Sequence, residues 1–380
     1  MRIGVNTRLF VKGKMDGIAW FSYEVLKRMV KAHPEHDFIF FFDRKPLDEF
    51  IFADNVKPVV VFPPARHPFL WFLFFEFGIK RALKKEKIDI FLSPDGWICL
   101  NTSVKTINII HDLNFEHHPD FLPKLTRRYF QYFFPQFAHK ADKLITVSHF
   151  SKNDIVKTYG IPASKIEVVY NAAAEDFFEI PESEKTVVRN QLSEGCPYFV
   201  FVGSGNQRKN IINHLLAFDL FKEQGFKAKL VFAGTQKYWT KQMKMVYSSL
   251  KYRDDVIFTG YVSTKKLNEI LSSSHCLLYA SYFEGFGVPI LEAFSCNVPV
   301  ITSNITAMPE IAEDAAILVS PYHIDEITNA MIEIFTNDKL RLALIEKGKK
   351  QLQKFSWDTT ASQLWRSIQE VSQNNDEAIL

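Results

Sequence analysis

Two carboxylates, Glu284 and Glu292, have the type and the spacing to act on one ligand, with seven residues between them. The segment between them holds two glycines and then Pro289. Proline fits the first turn of a helix, where its missing N–H costs nothing. The apolar run 276–280 just upstream is typical of a buried strand. The sequence therefore predicts a strand, a glycine turn and a helix N-terminus.

Such a helix start suits a phosphate, because unpaired N–H groups and the positive end of the helix dipole point at one spot. Carboxylates beside a phosphate site are suited instead to the hydroxyl groups of a sugar. We expect Glu284 to lie in the loop beside that sugar and Glu292 to point back toward it. Both carboxylates are expected to be solvated.

A second segment with chemical potential, Gly203 to Asn210, follows the apolar run 198–202. Its glycines permit a tight turn, and Arg208 and Lys209 can hold a diphosphate. A dinucleotide-binding fingerprint would need glycine where Arg208 stands, so a dehydrogenase is disfavoured. A solvated basic turn is the plain alternative.

Several candidates end strands or begin helices in the first half of the chain. His111 ends one strand, where it is either structural or functional, and Asp112 is expected to orient the loop. Gly17 either lets a backbone N–H approach a phosphate or simply begins a helix. Ser148 and Asn171 contact an acceptor or hinge, or serve as caps and turns.

The elements that must position these residues alternate between strands and helices, which predicts an α/β fold with parallel sheets. We expect one domain over 1–173 and a second over 174–355, followed by a helix over 356–371 and a frayed tail. Polar 174–194 is expected to be the crossing, and Ser151 with Asp154 has the spacing of a capping box. The predicted strands are 2–6, 38–42, 57–62, 88–92, 106–110, 143–147, 166–170, 198–202, 228–233, 256–259, 276–279, 298–303 and 316–319. Ligands of such sheets bind at the carboxyl ends of strands, so the site is expected in a cleft between the domains.

Composition excludes several classes of protein. The chain has 380 residues, 47% hydrophobic and 23% charged, as in globular proteins, and its net charge of +3 is too small to indicate nucleic acid. The four cysteines show no metal-ligand spacing, which favours a reduced compartment. There is no signal-peptide pattern and no apolar run of about 20 residues. We expect a cytoplasmic protein, at most peripheral on the inner face of the plasma membrane.

The segments 66–87 and 127–134 are rich in aromatic and basic residues. They are either helix faces buried on a sheet or surfaces that lie on an anionic membrane. The sequence leaves both readings open.

The glutamate pair, with 297–303 and 308–312 after it, resembles the motif of the retaining glycosyltransferases of family 4, and the likeness covers nearly the whole chain. It implies the GT-B fold, two Rossmann-like doubly wound domains that face a central cleft. The first domain would bind the acceptor and the second a nucleotide-diphosphate sugar, and the helix over 356–371 would pack back on the first domain. The implied catalytic residues are Glu284, Arg208, Lys209 and His111. The implied donor-binding residues are Glu292, Gly285, Phe286, Gly287, Val288, Gly17, Tyr261, Val262 and Gly203, and those for acceptor or hinge are Ser148, Asn171 and Asp112.

The family's usual mechanism lets the acceptor attack the face that the diphosphate leaves, so it needs no covalent nucleophile. No cofactor and no metal ion are expected. Relatives often carry an arginine where Ser204 stands, and a second glycine and an arginine at Ala19 and Trp20. These departures affect the roles of Arg208 and of the Gly17 loop.

The overall look is similar to bacterial mannosyltransferases of polysaccharide and O-antigen (lipopolysaccharide) synthesis, which favours GDP-mannose over a UDP-sugar and a glycan or lipid-linked acceptor. The alternatives are an epimerase or phosphorylase on the same fold, or a non-catalytic donor-binding subunit. The sequence does not indicate an oligomeric state.

Overall fold

The computed structural model describes residues 1–373, and the chain divides into two compact units. The first unit combines Met1–Asn171 with the C-terminal segment that starts at Ser356, and the second is Ala172–Phe355. The first boundary therefore falls at Asn171, close to the predicted position 173.

The strands and helices of both units follow in chain order. The strands are β1 (Arg2–Asn6), β2 (Asp37–Phe42), β3 (Val56–Val60), β4 (Ile90–Ser93), β5 (Lys105–Ile109), β6 (Lys143–Thr146), β7 (Ile166–Val168), β8 (Tyr198–Val202), β9 (Lys229–Ala233), β10 (Val256–Gly260), β11 (Cys276–Tyr279), β12 (Val300–Ser303) and β13 (Ala316–Val319). The helices are α1 (Gly17–Ala32), α2 (Pro68–Leu73), α3 (Lys80–Lys85), α4 (Asn114–His117), α5 (Lys124–Lys140), α6 (His149–Tyr159), α7 (Glu182–Ser193), α8 (Ile211–Glu223), α9 (Lys241–Ser249), α10 (Thr264–Ser272), α11 (Val288–Ser295), α12 (Met308–Ala312), α13 (Ile324–Thr336), α14 (Asp338–Leu352) and α15 (Trp357–Gln373).

Each unit is built on one parallel sheet. The first has the order β3-β2-β1-β4-β5-β6-β7 and the second β10-β9-β8-β11-β12-β13, and every pairing is parallel. In both sheets the strand order reverses beside the first strand of the unit, as in doubly wound folds. The predicted α/β class with two Rossmann-like halves is confirmed.

Continuous apolar runs explain why these strands form sheet centres. In β2 the side chains from Phe38 to Phe42 are at most 1% exposed, so both faces of the strand are covered. Strands covered on both faces lose the usual alternation of apolar and polar residues. Many of the 36 phenylalanines of the chain are buried in strands and helices around the sheets.

The predicted capping box at Ser151 and Asp154 is wrong. Helix α6 is capped by Ser148, whose hydroxyl accepts the N–H of Ser151 at 3.0 Å. Asp154 instead bonds to the ring of His117 at 2.7 Å, a residue 37 positions earlier. Asp154 therefore pairs with the distant His117 and not with the N-terminus of α6, where its spacing from Ser151 had placed it.

Two helices also differ from expectation. The segment 174–194, predicted as a polar crossing, contains α7. This helix was not predicted because most of its residues are polar or charged. The last helix, α15, continues to Gln373, and the remainder of the predicted frayed tail lies outside the described residues.

The aromatic segment 68–85 forms one helical run in which a π-helical turn, Phe74–Ile79, joins α2 to α3. Phe74 and Phe75 are buried in the core of the first unit. Glu76 is buried as well, and its carboxylate accepts the N–H groups of Leu100 at 2.7 Å and Asn101 at 3.2 Å. Part of this segment is therefore core, as one reading of the sequence proposed.

Other rings of the same region lie on the outside and form what we call the aromatic surface: Phe62, Phe69, Phe77 and Tyr132, which are 82%, 65%, 62% and 65% exposed. Partly buried rings connect them, since Phe72 lies 6.2 Å from Phe77 and 5.9 Å from Phe133 between ring centroids. Among residues 1–373, no helix combines the length and the apolar character that a membrane span requires.

Candidate functional site

The glycine turn before α11 is formed as predicted. Gly287 has a φ of 100°, a left-handed conformation that favours glycine, and it leads directly into Val288 and Pro289. No side chain caps α11. The first turn of this helix can therefore offer its N–H groups to an anion.

Glu284 lies at the centre of a buried ionic cluster in the second unit. Its carboxylate accepts a hydrogen bond from Lys209 at 2.7 Å and another from Arg208. Lys209 also donates to the hydroxyl of Tyr279, and Arg208 donates to the carbonyl of Phe283 at 2.9 Å. The side chains of Glu284 and Lys209 are 7% and 10% exposed, and that of Arg208 is 22% exposed.

The charges of this cluster stabilise one another. Burial alone would raise the pKa of Glu284, but the nearby Arg208 and Lys209 cations outweigh it and lower that pKa to about 2. Burial, followed by the Glu284 carboxylate, raises the pKa of Tyr279 well above its usual value. Two cations face one carboxylate, so the cluster carries a net positive charge that suits a diphosphate.

Glu292 has the opposite environment. Its side chain is half-buried on α11, and among residues 1–373 its carboxylate has no hydrogen-bond donor. Burial raises the pKa of Glu292 to about 7, against a smaller lowering effect of Lys209. Because its oxygens have no internal partner, they can accept hydrogen bonds from a ligand.

The loop that carries the cations is held by the neighbouring strand. Gly203 donates its N–H to the carbonyl of Ala233 at 3.0 Å, and Gly205 donates to Thr235 at 2.9 Å. A Cβ atom at Gly234 would lie 2.0 Å from the carbonyl oxygen of Gly203, so only glycine fits there. Arg208 and Lys209 then occupy a short 3₁₀ turn just before α8.

The expectation that Glu284 is solvated is wrong, and its contact with a sugar stays a prediction. Its carboxylate is buried and faces the two cations. Sequence spacing could not reveal this pairing, because it joins segments 75 and 76 residues apart. The predicted neighbours Gly285, Phe286 and Gly287 are buried beside it.

Sequence reasoning missed several residues that support the cluster. Tyr279 ends β11 and contacts Lys209, a location that a search for strand-end residues would have found. Thr306 accepts the N–H of Glu284 at 3.3 Å. The buried His214 accepts the N–H of Ala280 at 3.0 Å, and burial, then the Lys209 charge, lowers its pKa to about 3. No signal in the sequence indicated the last two.

His111 follows β5 in the first unit, as predicted. Its Nε2 lies 2.9 Å from the carbonyl of Pro94, and its ring meets Phe21 edge-to-face with centroids 5.1 Å apart. A carbonyl only accepts, so Nε2 carries the hydrogen. Burial lowers the pKa of His111, which keeps the ring neutral near pH 7. Asp112 accepts the N–H of Asn114 at 2.9 Å and so shapes the loop, as expected.

The other first-unit candidates have structural roles in the described contacts. Gly17 begins α1 behind its cap Asp16, and a Cβ atom there would meet open space. Ser148 caps α6, and buried Asn171 ends the first unit. Their roles in donor or acceptor binding stay predictions.

Tyr261 and Val262, which were expected among the donor-binding residues, follow β10 in the second unit. Tyr261 is 79% exposed and Val262 is half-buried. Within residues 1–373 there is no group of three or more His, Cys, Asp or Glu side chains placed to hold a metal ion. Whether the reaction needs a metal stays a prediction.

Two family models match the chain, one in each half. Residues 15–176 match the model named Glycosyltransferase Family 4, and residues 182–351 match Glycosyl transferases group 1. The O-antigen chain mannosyltransferase B of Escherichia coli is 26% identical over 366 residues, which are 93% of this chain and 96% of that protein.

Solved structures share the fold. Sucrose-phosphate synthase from Thermosynechococcus elongatus superposes with a TM-score of 0.79 at 16% identity, covering 97% of this chain and 98% of that one. An Anabaena protein, Alr3699/HepE in complex with UDP-glucose, gives 0.73 at 16% identity, covering 97% and 100%. At such identities the likeness concerns the fold alone.

Proposed function

We propose, on the premise that this chain belongs to the family 4 glycosyltransferases and has their GT-B fold, that it transfers a sugar from a nucleotide-diphosphate donor to a glycan or lipid-linked acceptor. The observation that carries this proposal is the Arg208–Lys209–Glu284 cluster beside the uncapped start of α11. Departure of a diphosphate builds negative charge, and preorganised cations with a helix N-terminus stabilise such charge.

The arrangement divides the donor between three groups. Arg208, Lys209 and the first turn of α11 would hold the diphosphate, and Glu292 would accept the ribose hydroxyls. Glu284 would position the two cations and meet the sugar only through its remaining accessible edge. A carboxylate held between two cations is a weak nucleophile, which disfavours a covalent intermediate. The acceptor would instead attack the face that the diphosphate leaves, and such attack retains the anomeric configuration.

GDP-mannose is the donor that we favour, because the Escherichia coli relative is named a mannosyltransferase of O-antigen chains. The Anabaena structure contains UDP-glucose, so a UDP-sugar is the comparison donor. We propose that the product belongs to a cell-surface polysaccharide or lipopolysaccharide, made on the cytoplasmic side of the membrane, and that no cofactor or divalent ion is required.

The direct test follows nucleoside diphosphate release from GDP-mannose and from UDP-glucose, with mannose-terminated oligosaccharides as acceptors, in the presence and absence of EDTA. We expect glycan extension with GDP-mannose, an unchanged anomeric configuration by NMR, and activity that survives EDTA. An isomerised or phosphorolysed product would indicate the epimerase or phosphorylase alternative. Donor binding without any turnover would indicate a non-catalytic subunit.

Replacement of Glu292 by Gln should weaken donor binding about tenfold, the loss expected for one charged hydrogen bond. Because the pKa of Glu292 is about 7, the affinity of the wild type should fall as the pH drops through that value, and that of the variant should not. The raised pKa also means that the protein loses stability as the pH rises from 4.5, the ordinary pKa of Glu292, to about 7, and that the whole loss persists above pH 7. The unliganded variant should therefore melt at a higher temperature than wild type at pH 8.

Calorimetry with GDP-mannose across pH 5.5–8.5 measures the first effect and differential scanning fluorimetry the second. Lys227→Ala, an exposed charge change in the same unit, is the control. Equal donor affinity of wild type and Glu292→Gln at pH 8 would remove Glu292 from the donor site.

We propose that the aromatic surface contacts an anionic membrane. Exposed cations accompany it, namely Arg66, Lys80, Arg81, Lys84 and Lys85. Aromatic rings with nearby cations bind anionic bilayers through apolar insertion and charge attraction. Such contact would bring the enzyme to a lipid-linked acceptor.

The prediction is flotation with phosphatidylglycerol vesicles at low salt that weakens as salt rises, because salt screens the cations. Joint replacement of Phe62, Phe69 and Phe77 by Ser should abolish flotation. Joint replacement of Tyr238 and Met245 by Ser is the matched control, because these side chains are 54% and 71% exposed and lie in the second unit. Equal flotation of both variants, or none by wild type, would rule out this surface.

A further inference from the structure

Arg8 and Asp95 form an ion pair in the first unit that the proposed donor chemistry does not use. Arg8 follows β1 and Asp95 follows β4, two neighbouring strands of the sheet. The Nε of Arg8 donates to the Asp95 carboxylate at 2.6 Å, and their side chains are 10% and 3% exposed. Ligands of parallel sheets bind at this carboxyl edge.

The pair is rigidly held. Asn6 donates to the other carboxylate oxygen of Asp95 at 2.8 Å, and the N–H of Trp97 reaches the same oxygen at 3.3 Å. Three rings surround the guanidinium: its central carbon lies 6.0, 5.8 and 5.5 Å from the ring centroids of Trp71, Phe75 and Trp97. Both oxygens of Asp95 thus have donors inside the protein, and the rings and the carboxylate together hold the Arg8 side chain.

The two terminal nitrogens of Arg8 are left over. Within residues 1–373 they have no hydrogen-bond partner, and neither belongs to the polar atoms that are sealed from solvent. A guanidinium that is nine-tenths buried normally satisfies its N–H groups, because an unmade hydrogen bond is costly. Here both terminal nitrogens reach solvent instead, which leaves them available to a ligand.

We infer that the terminal nitrogens of Arg8 bind two hydroxyl oxygens of a neutral sugar ring of the acceptor, beside the half-buried face of Trp71. The charges of Arg8 and Asp95 cancel, which disfavours a phosphate dianion, whereas fixed N–H donors next to an aromatic wall suit a sugar. His111 belongs to the same edge, since its Nε2 bonds to Pro94, the residue before Asp95. This inference rests on the proposed glycosyl transfer, and it makes Arg8 a determinant of acceptor specificity.

The test compares wild type, Arg8→Lys and Arg8→Ala for binding of methyl α-mannopyranoside and α-mannobiose by saturation-transfer NMR. Arg8→Lys keeps a cation for Asp95 but lacks the fork of two terminal nitrogens. We expect it to fold like wild type and to bind these sugars about tenfold more weakly, which is about 1.4 kcal/mol. Calorimetry with GDP-mannose should show unchanged donor affinity. Arg366→Ala, at an exposed position, is the matched control. Arg8→Ala, verified as folded by its melting temperature, shows the loss of sugar binding when the whole guanidinium is removed.

In turnover assays, Arg8→Lys should raise KM for the oligosaccharide acceptor and leave KM for GDP-mannose unchanged. Equal sugar binding by wild type and Arg8→Lys overturns the inference, and so does the absence of sugar binding by wild type. Inorganic phosphate that binds wild type and is lost in Arg8→Lys also overturns it, in favour of an anion site. Arg8-dependent sugar binding without any transfer by wild type would support the inference and defeat the proposed function alone.

Discussion

Replacement of Glu284 by Gln should lower turnover about 100-fold and also destabilise the protein. The amide keeps the size of the side chain but removes the charge that holds Arg208 and Lys209 in place. Misplacement of catalytic groups by about 1 Å can cost on the order of 100-fold in rate. Loss of one partner from a buried ion pair costs about 3 kcal/mol of stability.

The pH dependence identifies the origin of this stability. The pKa of Glu284 is lowered from 4.5 to about 2 in the fold, so its contribution is complete above pH 4.5 and is lost as the pH falls through about 2. The difference in unfolding free energy between wild type and variant should therefore be constant from pH 5 to 8 and shrink in acid. Urea titrations at several pH values, with initial rates at saturating donor, measure both effects.

The variants Glu284→Gln and Glu292→Gln should thus have opposite effects on the stability of the unliganded protein at pH 8. The first removes a charge that the fold stabilises, and the second removes one that the fold disfavours. Wild-type turnover and stability in Glu284→Gln would contradict the ionic cluster and the principal support for the proposed function.

Replacement of Lys209 by Ala should lower turnover by more than 100-fold, since removal of one charge-stabilising contact costs about 3 kcal/mol of barrier. Lys209 is the more buried of the two cations and also contacts Tyr279, so it has fewer alternative positions than Arg208. Arg208→Ala, on the more exposed cation, should lose less. Donor affinity should change less than turnover in both, because the charge matters most as the diphosphate leaves.

Steady-state kinetics with GDP-mannose, and circular dichroism to verify folding, decide this prediction. Lys227→Ala serves again as the exposed control. Turnover and donor affinity near those of wild type in Lys209→Ala would show that the cluster is structural. A larger loss in Arg208→Ala would reverse the assigned order of the two cations.

Local patterns were sufficient for the fold. Apolar runs such as those of β2 and β8 identify strands, since a parallel sheet covers both faces. Pro289 after Gly287 was enough to locate the start of α11, because both residues restrict the backbone locally. The polar α7 was missed because its burial is slight.

The site was predictable only in part. Lys209 and His111 lie after their strands as the sequence indicated, and their catalytic roles stay predictions. The direction in which Glu284 points depends on partners about 75 residues away. Arg8 and Asp95 are 87 residues apart and belong to no motif, so only the sheet order brings them together. Ser148 caps α6 although the capping-box spacing had indicated Ser151, because Asp154 bonds to the distant His117.

The contact between Gly234 and Gly203 has a consequence for how this site can change over evolution. The end of β9 fixes the position of the loop that carries Arg208 and Lys209. The backbones of Gly203 and Gly234 can approach closely because Gly234 has no side chain. A lineage could therefore exchange the charged residues of the loop one at a time and keep its geometry. A single methyl group on the neighbouring strand would lift the whole loop, although it alters no residue that meets the ligand.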